Sequence, residues 1–176
     1  AFLSRPPASW GLHLSRLTSG FWSAVSFRSW RTGETVNAAA FKAFGGPEQL
    51  AWGEWPDPVP GAGEVLVRVK ACALNRLDAW VVKGVPAYKI APPHAPGTDL
   101  SGVVEETGEG VTAVRPGDAV VAYPIQACGA CAECRAGREN LCPAKTVVGA
   151  GPRWGGYAGR VVLPAADLLP KPERLS

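Results

Sequence analysis

Four of the five cysteines fall in one short stretch, Cys128-Gly-Ala-Cys131-Ala-Glu-Cys134 followed by Cys142, with the spacing C-x2-C-x2-C-x7-C. No other feature restricts the fold so strongly, because sulfurs this close along the chain must converge in space if they share a ligand. Four thiolates suit a tetrahedral Zn²⁺, soft donors matching a borderline-soft ion, and a structural site has all its positions filled by protein. Gly129, Gly137 and the short spacings let the backbone wrap around such an ion. The lobe spans residues 126–145 and has few apolar side chains to bury, so metal binding is expected to supply much of its folding free energy. An iron–sulfur cluster is the rival: one ferredoxin pattern is C-x2-C-x2-C-x3-C-P, and Pro143 does follow Cys142. The longer final gap and the single set of cysteines favour zinc. Disulfides are disfavoured because nothing points to secretion. Cys72 stands alone in a strand-like stretch and reads as a buried free thiol.

Around this lobe the chain reads as β structure. Its 21 glycines and 17 prolines among 176 residues suit a turn-rich β protein better than a helix bundle. Ala38–Phe44 reads as a strand stopped by Gly45-Gly46-Pro47, and Leu50–Trp55 as a second. Glu64–Ala73 alternates Val65, Val67, Val69 and Ala71 against Leu66, Arg68 and Lys70, the period of a half-buried strand. Asn75 to Lys83 reads as a short helix stopped at Gly84. Ser101–Thr107, Ala119–Ile125 and Tyr157–Leu163 complete the strands, with Arg115-Pro-Gly-Asp118 as a turn before the second of these. Such strands and turns predict a barrel or sandwich. Apolar residues at 47% and charged residues at 19% are enough for most of the chain to fold. No apolar run approaches the roughly 18 residues of a membrane span.

Charge divides the chain. The net charge of +3 belongs wholly to residues 1–36, which carry Arg5, Arg16, Arg28 and Arg31 against Glu34. The remainder is neutral and gives no electrostatic reason to expect nucleic acid as a partner. The leading segment is Arg- and Ser-rich and poor in acids, which is the composition of organelle transit peptides; translated upstream sequence is the other reading. It is treated as a tail, with the folded domain over 37–176. The chain contains no methionine, so its natural start is expected to lie elsewhere.

From Asn37 to Pro172 the sequence resembles the N-terminal, GroES-like catalytic domain of the zinc-type medium-chain dehydrogenases/reductases, which include alcohol dehydrogenases and quinone oxidoreductases. The resemblance is carried by Ala40-Phe-Lys-Ala-Phe-Gly-Gly-Pro-Glu, by Pro60-Gly-Ala-Gly-Glu-Val-Leu-Val-Arg-Val-Lys-Ala, by Gly108-Glu-Gly-Val-Thr-Ala-Val-Arg-Pro-Gly-Asp-Ala-Val and by the cysteine run. It implies a mainly β (α+β) fold, a partly open barrel with short helices and a zinc-binding lobe. It also implies that Cys128, Cys131, Cys134 and Cys142 are structural zinc ligands. The implied activity is NAD(P)-dependent hydride transfer with a quinone, enone, carbonyl or alcohol, with a small molecule as partner and a homo-oligomer possible in the parent.

Where the alcohol dehydrogenases hold a catalytic zinc, this sequence departs. Their Cys is matched by Asn75, in Leu74-Asn-Arg-Leu-Asp, and their G-H-E motif by Gly97-Thr98-Asp99. Neither Asn75 nor Thr98 is a good zinc ligand. The pattern is similar to the quinone-oxidoreductase branch, which lacks the active-site metal. Without a Lewis acid, the implied reaction is hydride transfer to an already activated acceptor. Two roles are open for Asn75, donating to a substrate oxygen or capping the helix, and both hold only if different atoms serve them. Asp78 and Thr98 are placed as active-site lining. Asp78 is expected to orient the helix or bond backbone amides, and Asp99 to anchor its loop. His94 reads as an exposed loop histidine, with a metal site of His94, Cys72 and Asp78 the least favoured alternative. Tyr88 and Tyr123 are candidate pocket-lining aromatics.

A dinucleotide site needs a βαβ unit with a glycine-rich turn, and Gly149-Ala-Gly151-Pro152 does not open a helix. In the resembled family the Rossmann domain follows where this chain ends. The chain is therefore expected to be a fragment, inactive alone, with NAD or NADP bound by the full-length parent. A stand-alone zinc-stabilised β-barrel binding module and an iron–sulfur electron carrier are the alternatives. Reduced thiols around zinc fit the cytoplasm, or an organelle if residues 1–36 are a transit peptide.

Overall fold

The structure, a computed structural model, describes residues 30–87 and 89–175. The leading residues 1–29 and Tyr88 lie outside them. The elements in chain order are β1 (Trp30–Ala40), β2 (Ala51–Pro58), β3 (Glu64–Cys72), α1 (Arg76–Lys83), β4 (Leu100–Thr107), β5 (Ala119–Ala122), β6 (Ile125–Gln126), α2 (Ala132–Arg135), β7 (Thr146–Val147), β8 (Arg160–Pro164) and β9 (Leu168–Pro170).

Five strands form one sheet in the order β8-β3-β4-β5-β9, while β1-β2 and β6-β7 form separate two-stranded sheets. The mainly β expectation is borne out, and among the described residues the sheets do not close into a complete barrel. Every strand pair among the described residues is antiparallel, so those residues contain no parallel βαβ unit.

The core forms where strand periodicity meets this topology. Val65 and Val67 of β3 pack with Val104 of β4, Val120 of β5 and Val161 and Leu163 of β8. Leu66, on the opposite face by alternation, is also buried, so the centre of β3 is covered on both sides. The expected strand over Ala119–Ile125 is split at Tyr123-Pro124, because proline cannot donate to a ladder. Ile125 and Gln126 instead pair with Val147 and Thr146 and form the base of the cysteine lobe. Asp118 N donates to Arg115 O at 3.1 Å, closing the expected turn before β5.

The first strand differs most from its expectation. It opens at Trp30, ahead of the β pattern read from Asn37, and its sheet pairing with β2 ends at Ala40↔Ala51. Phe41 then changes partner and exchanges backbone hydrogen bonds with His94, at 2.9 and 3.0 Å. Residues 30–36 are drawn into the fold by charge. Arg31 Nε lies 3.4 Å from Asp57 Oδ2, and Arg31 also pairs with Glu106. Asp57 is only 1% exposed and shares its Oδ2 with Arg160 Nη1 at 3.2 Å. Arg160 and Arg68 then hold Glu105 from either side, at 2.7 and 2.6 Å. A buried carboxylate left without such cations would cost several kcal/mol, about 3–5 for a broken buried pair.

Candidate functional site

The cysteine lobe is a loop between the paired strands β6 and β7. Its four sulfurs lie within 4.8 Å of one another and are the only such ligand group among the described residues. Cys128 Sγ is 3.9 Å from Cys134 Sγ, and Cys131 Sγ is 3.5 Å from it. A tetrahedron of zinc–sulfur bonds near 2.3 Å has an edge of about 3.8 Å. A disulfide needs about 2.05 Å. The sulfurs therefore stand at metal-sharing distance and all are free thiols.

Backbone amides face these sulfurs. Cys131 N donates to Cys128 Sγ at 3.4 Å, Cys134 N to Cys131 Sγ at 3.4 Å, and Cys128 N to Cys142 Sγ at 3.5 Å. N–H groups of Ala130 and Cys131 draw the Cys128 thiol down to about 6, into the thiolate range. Burial and the Cys131 side chain push the Cys134 thiol up to about 12, so the oriented amides favour the thiolate at Cys128 and a bound cation would displace the proton of Cys134. The donor set thus fits a thiophilic divalent ion.

The second centre lies where α1 meets the loop before β4. Asn75 is extended, with φ −121° and ψ 151°, and Gly84 closes the helix in the left-handed conformation at φ 77°. The cap runs from the helix back to the chain entering it: Asn75 N donates to Asp78 Oδ2 at 2.7 Å. Asn75 Nδ2 reaches across to Asp99 Oδ2 at 2.9 Å. Asp78 is buried and takes two further donors, Gly97 N on Oδ1 at 3.1 Å and the Tyr157 hydroxyl on Oδ2 at 2.9 Å. One carboxylate therefore ties α1, the 97–99 loop and the 156–159 segment together. Thr98 is buried, and its Oγ1 has no hydrogen-bond partner.

A cleft of about 460 Å³ opens beside this centre, with Trp52, Val69, Lys70, Cys72, Leu74 and Tyr157 in its wall. Cys72 is half-buried there instead of fully buried, because β8 stops pairing with β3 at Arg68. Burial and the nearby Asp78 and Asp99 carboxylates push its thiol up to about 11. Tyr123 is half exposed and stands outside the cleft wall.

His94 corrects the sequence reading. It is buried, not exposed on a loop, and its Nε2 donates to Gly149 O at 3.0 Å. His94, Cys72 and Asp78 form no metal group among the described residues. Sequence reasoning also passed over Tyr157, whose reach to Asp78 spans 79 residues. The signal available was Gly155-Gly156 directly before it, where backbone packs too closely for any side chain. A Cβ on Gly155 would meet Gly97 O at 2.1 Å.

Residues 61–173 match the profile of the alcohol dehydrogenase GroES-like domain. An alcohol dehydrogenase of Geobacillus stearothermophilus is 38% identical over 143 residues, covering 80% of this chain and 41% of its own length. The quinone oxidoreductase of Rattus norvegicus is 37% identical over 81 residues, covering 46% of this chain and 25% of its own. Among solved structures, the cobalt- and zinc-bound thermostable alcohol dehydrogenase from Pyrobaculum aerophilum is 42% identical, with a TM-score of 0.73 over 81% of this chain and 43% of that one. The chain thus spans less than half the length of these relatives.

Proposed function

The chain belongs to the alcohol dehydrogenase GroES-like domain family, and on that premise we propose that it serves as the catalytic-domain portion of an NAD(P)-dependent oxidoreductase. Its reaction is hydride transfer between a nicotinamide and a small carbonyl-type substrate. The preferred substrate is an acceptor that is already activated, a quinone, an enone or a conjugated carbonyl. The observation that carries this reading is the hydrogen bond from Asn75 Nδ2 to Asp99 Oδ2 at 2.9 Å. An amide and the hydroxyl of Thr98 stand where a catalytic zinc would need a thiolate and an imidazole.

Zinc belongs instead to Cys128, Cys131, Cys134 and Cys142, where it supplies folding free energy and cross-links the lobe. Asn75 Nδ2 has two N–H groups. Asp99 orients one of them, and the second is directed to a substrate oxygen on which negative charge develops. Asp78 fixes the geometry by holding Asn75 N, Gly97 N and Tyr157 at once. Val69 and Tyr157, both partly buried, give the cleft wall an apolar surface against which a substrate can pack.

The described residues do not fit the dinucleotide, since they contain no glycine-rich helix N-terminus for a pyrophosphate. NAD or NADP is assigned to a further domain of a longer parent. Neither nucleic acid nor a membrane is proposed as a partner. No helix among the described residues is long and apolar enough to cross a membrane. Free thiols gathered for a metal support a reducing compartment, the cytoplasm or an organelle, as the proposed location, and a homo-oligomer of the parent is the proposed assembly.

The test is enzymatic. NAD(P)H oxidation should be seen with quinones or enones for the parent product and be absent for residues 1–176 alone. Turnover by the 176-residue chain would overturn the fragment reading. Alcohol oxidation by the parent that depends on a second zinc per chain would overturn the metal-free substrate site.

A further inference from the structure

The cysteine lobe and the substrate-side centre are joined by one short segment. After Cys142 the chain makes a turn, Lys145 N donating to Cys142 O at 3.2 Å, and then enters β7. From Val147 to Gly151 it runs directly against the second centre. Val147 and Ala150 pack with Phe41 and with Val81 and Val82 of α1, the helix that carries Asp78. Gly149 lies on the backbone of Gly97, where a Cβ would meet Gly97 O, N and C at 2.7–2.9 Å. Its carbonyl accepts from His94 Nε2 at 3.0 Å, so the buried ring spans the lobe's exit and the loop leading to Thr98. His94 is itself clamped by two backbone bonds to Phe41. The Gly97 loop is then closed from the other side by Gly156 N on Gly97 O at 2.8 Å and Tyr157 N on Pro96 O at 3.0 Å.

We propose that His94 is a positioning residue that couples metal binding in the cysteine lobe to the geometry of the Gly97–Asp99 loop, through its hydrogen bond to Gly149. The proposal rests on the reading of the lobe as a zinc centre. An ion held by four thiolates fixes Cys142, and the few residues from there to Gly149 leave little slack. Close packing at Gly149 and Gly97 leaves no soft layer between them to absorb a displacement. Without the ion, the exit segment loses its anchor, and the loop loses the surface on which Gly97 rests. Coupling of this kind is reciprocal, so loosening the loop contact must weaken the metal.

That reciprocity is measurable in the chain itself and needs no catalytic activity. Zinc affinity is obtained by competition with a chromophoric chelator, and amide hydrogen exchange is read at Gly97, Gly155 and Gly156 with zinc loaded. For His94→Ala, zinc binding should weaken about fivefold or more, and exchange at those amides should quicken while β3 and β4 stay protected. His94→Gln, which retains an N–H donor, should recover most of both effects. Unchanged affinity and unchanged exchange in His94→Ala overturn the coupling. Where His94→Ala does not fold, the wild type decides. Stripping its zinc must quicken exchange at Gly97 and Gly156 ahead of β3, and a loop that stays protected overturns the proposal. A wild-type chain that takes up no zinc overturns the metal reading, and the coupling with it. A zinc-binding wild type with an indifferent His94→Ala overturns the coupling alone.

Discussion

The Tyr157 hydroxyl donates to Asp78 Oδ2 at 2.9 Å, joining a strand-entry segment to the first turn of a helix 79 residues away. A buried carboxylate with three donors from three chain segments is a structural joint as well as part of the proposed site. Tyr157→Phe removes one donor and should destabilise the zinc-loaded chain by about 1–2 kcal/mol. Asp78→Ala strands two backbone amides and the phenol together and should cost more, about 3 kcal/mol. Urea unfolding measures both, and equal or reversed costs would refute this view of Asp78. Burial and the facing carboxylate raise the Tyr157 pKa above its ordinary 10.0. The bond's contribution should therefore be intact below about pH 10 and fade only as the medium becomes more alkaline.

Cys72 gives a pH prediction of its own. With its thiol held at about 11 against an ordinary 9.0, its thiolate fraction near pH 8 is lower by about a hundredfold. Iodoacetamide should label it slowly there, with a rate that rises about tenfold per pH unit until pH 11. Asp99→Asn removes one of the two carboxylates raising the pKa and should shift that profile to lower pH. Mass spectrometry of the zinc-loaded chain, whose other thiols are occupied, reads this directly. Fast labelling at pH 8 would mean that Cys72 is neither as buried nor as close to Asp78 and Asp99 as the structure shows.

Metal content tests the lobe. One zinc per chain is expected, with a colourless solution. Replacing buried Cys134 or Cys142 by Ser should abolish stoichiometric binding and unfold the lobe while the five-stranded sheet persists. Binding releases protons from thiols, so affinity should rise with pH. A brown protein with iron and sulfide would establish the iron–sulfur alternative instead.

Arg31 makes the beginning of the folded domain testable. A chain starting at Asn37 should be less stable than one starting at Trp30 by about 1 kcal/mol or more. The loss comes from the buried Val36, from the β1–β2 pairs at Thr35 and Val36, and from Asp57, which keeps Arg160 but loses Arg31. Arg31→Ala should reproduce part of it. Thermal unfolding of the three proteins compares them, and no difference would return residues 30–36 to the tail.

Local features were legible where one stretch of chain contains the whole cause. The period-two valines of β3 face the core because alternation along a strand is a local property. Gly84 ends α1 because only glycine enters the left-handed region without strain. The cysteine spacing predicts four converging sulfurs because thiolates at these short intervals can fill one tetrahedral zinc site. His94 failed this kind of reading. Its neighbours Pro93 and Ala95 suggest an exposed loop, and its burial comes from Phe41 and Gly149, which are distant in sequence.

The amino-acid sequence by itself determined β3, β4 and β8, the turn residues, the expected convergence of Cys128, Cys131, Cys134 and Cys142 and the absence of a thiolate and imidazole at Asn75 and Thr98. Each follows from the chemistry or spacing of residues close along the chain. Only the tertiary structure decided that Asn75 faces Asp99, that Asp78 collects donors from three segments, that Arg31 belongs to the fold and that the cysteine lobe rests on the Gly97 loop. Each of these depends on which groups burial forces into contact, and a buried polar atom takes its partner from whatever the fold brings within hydrogen-bond reach.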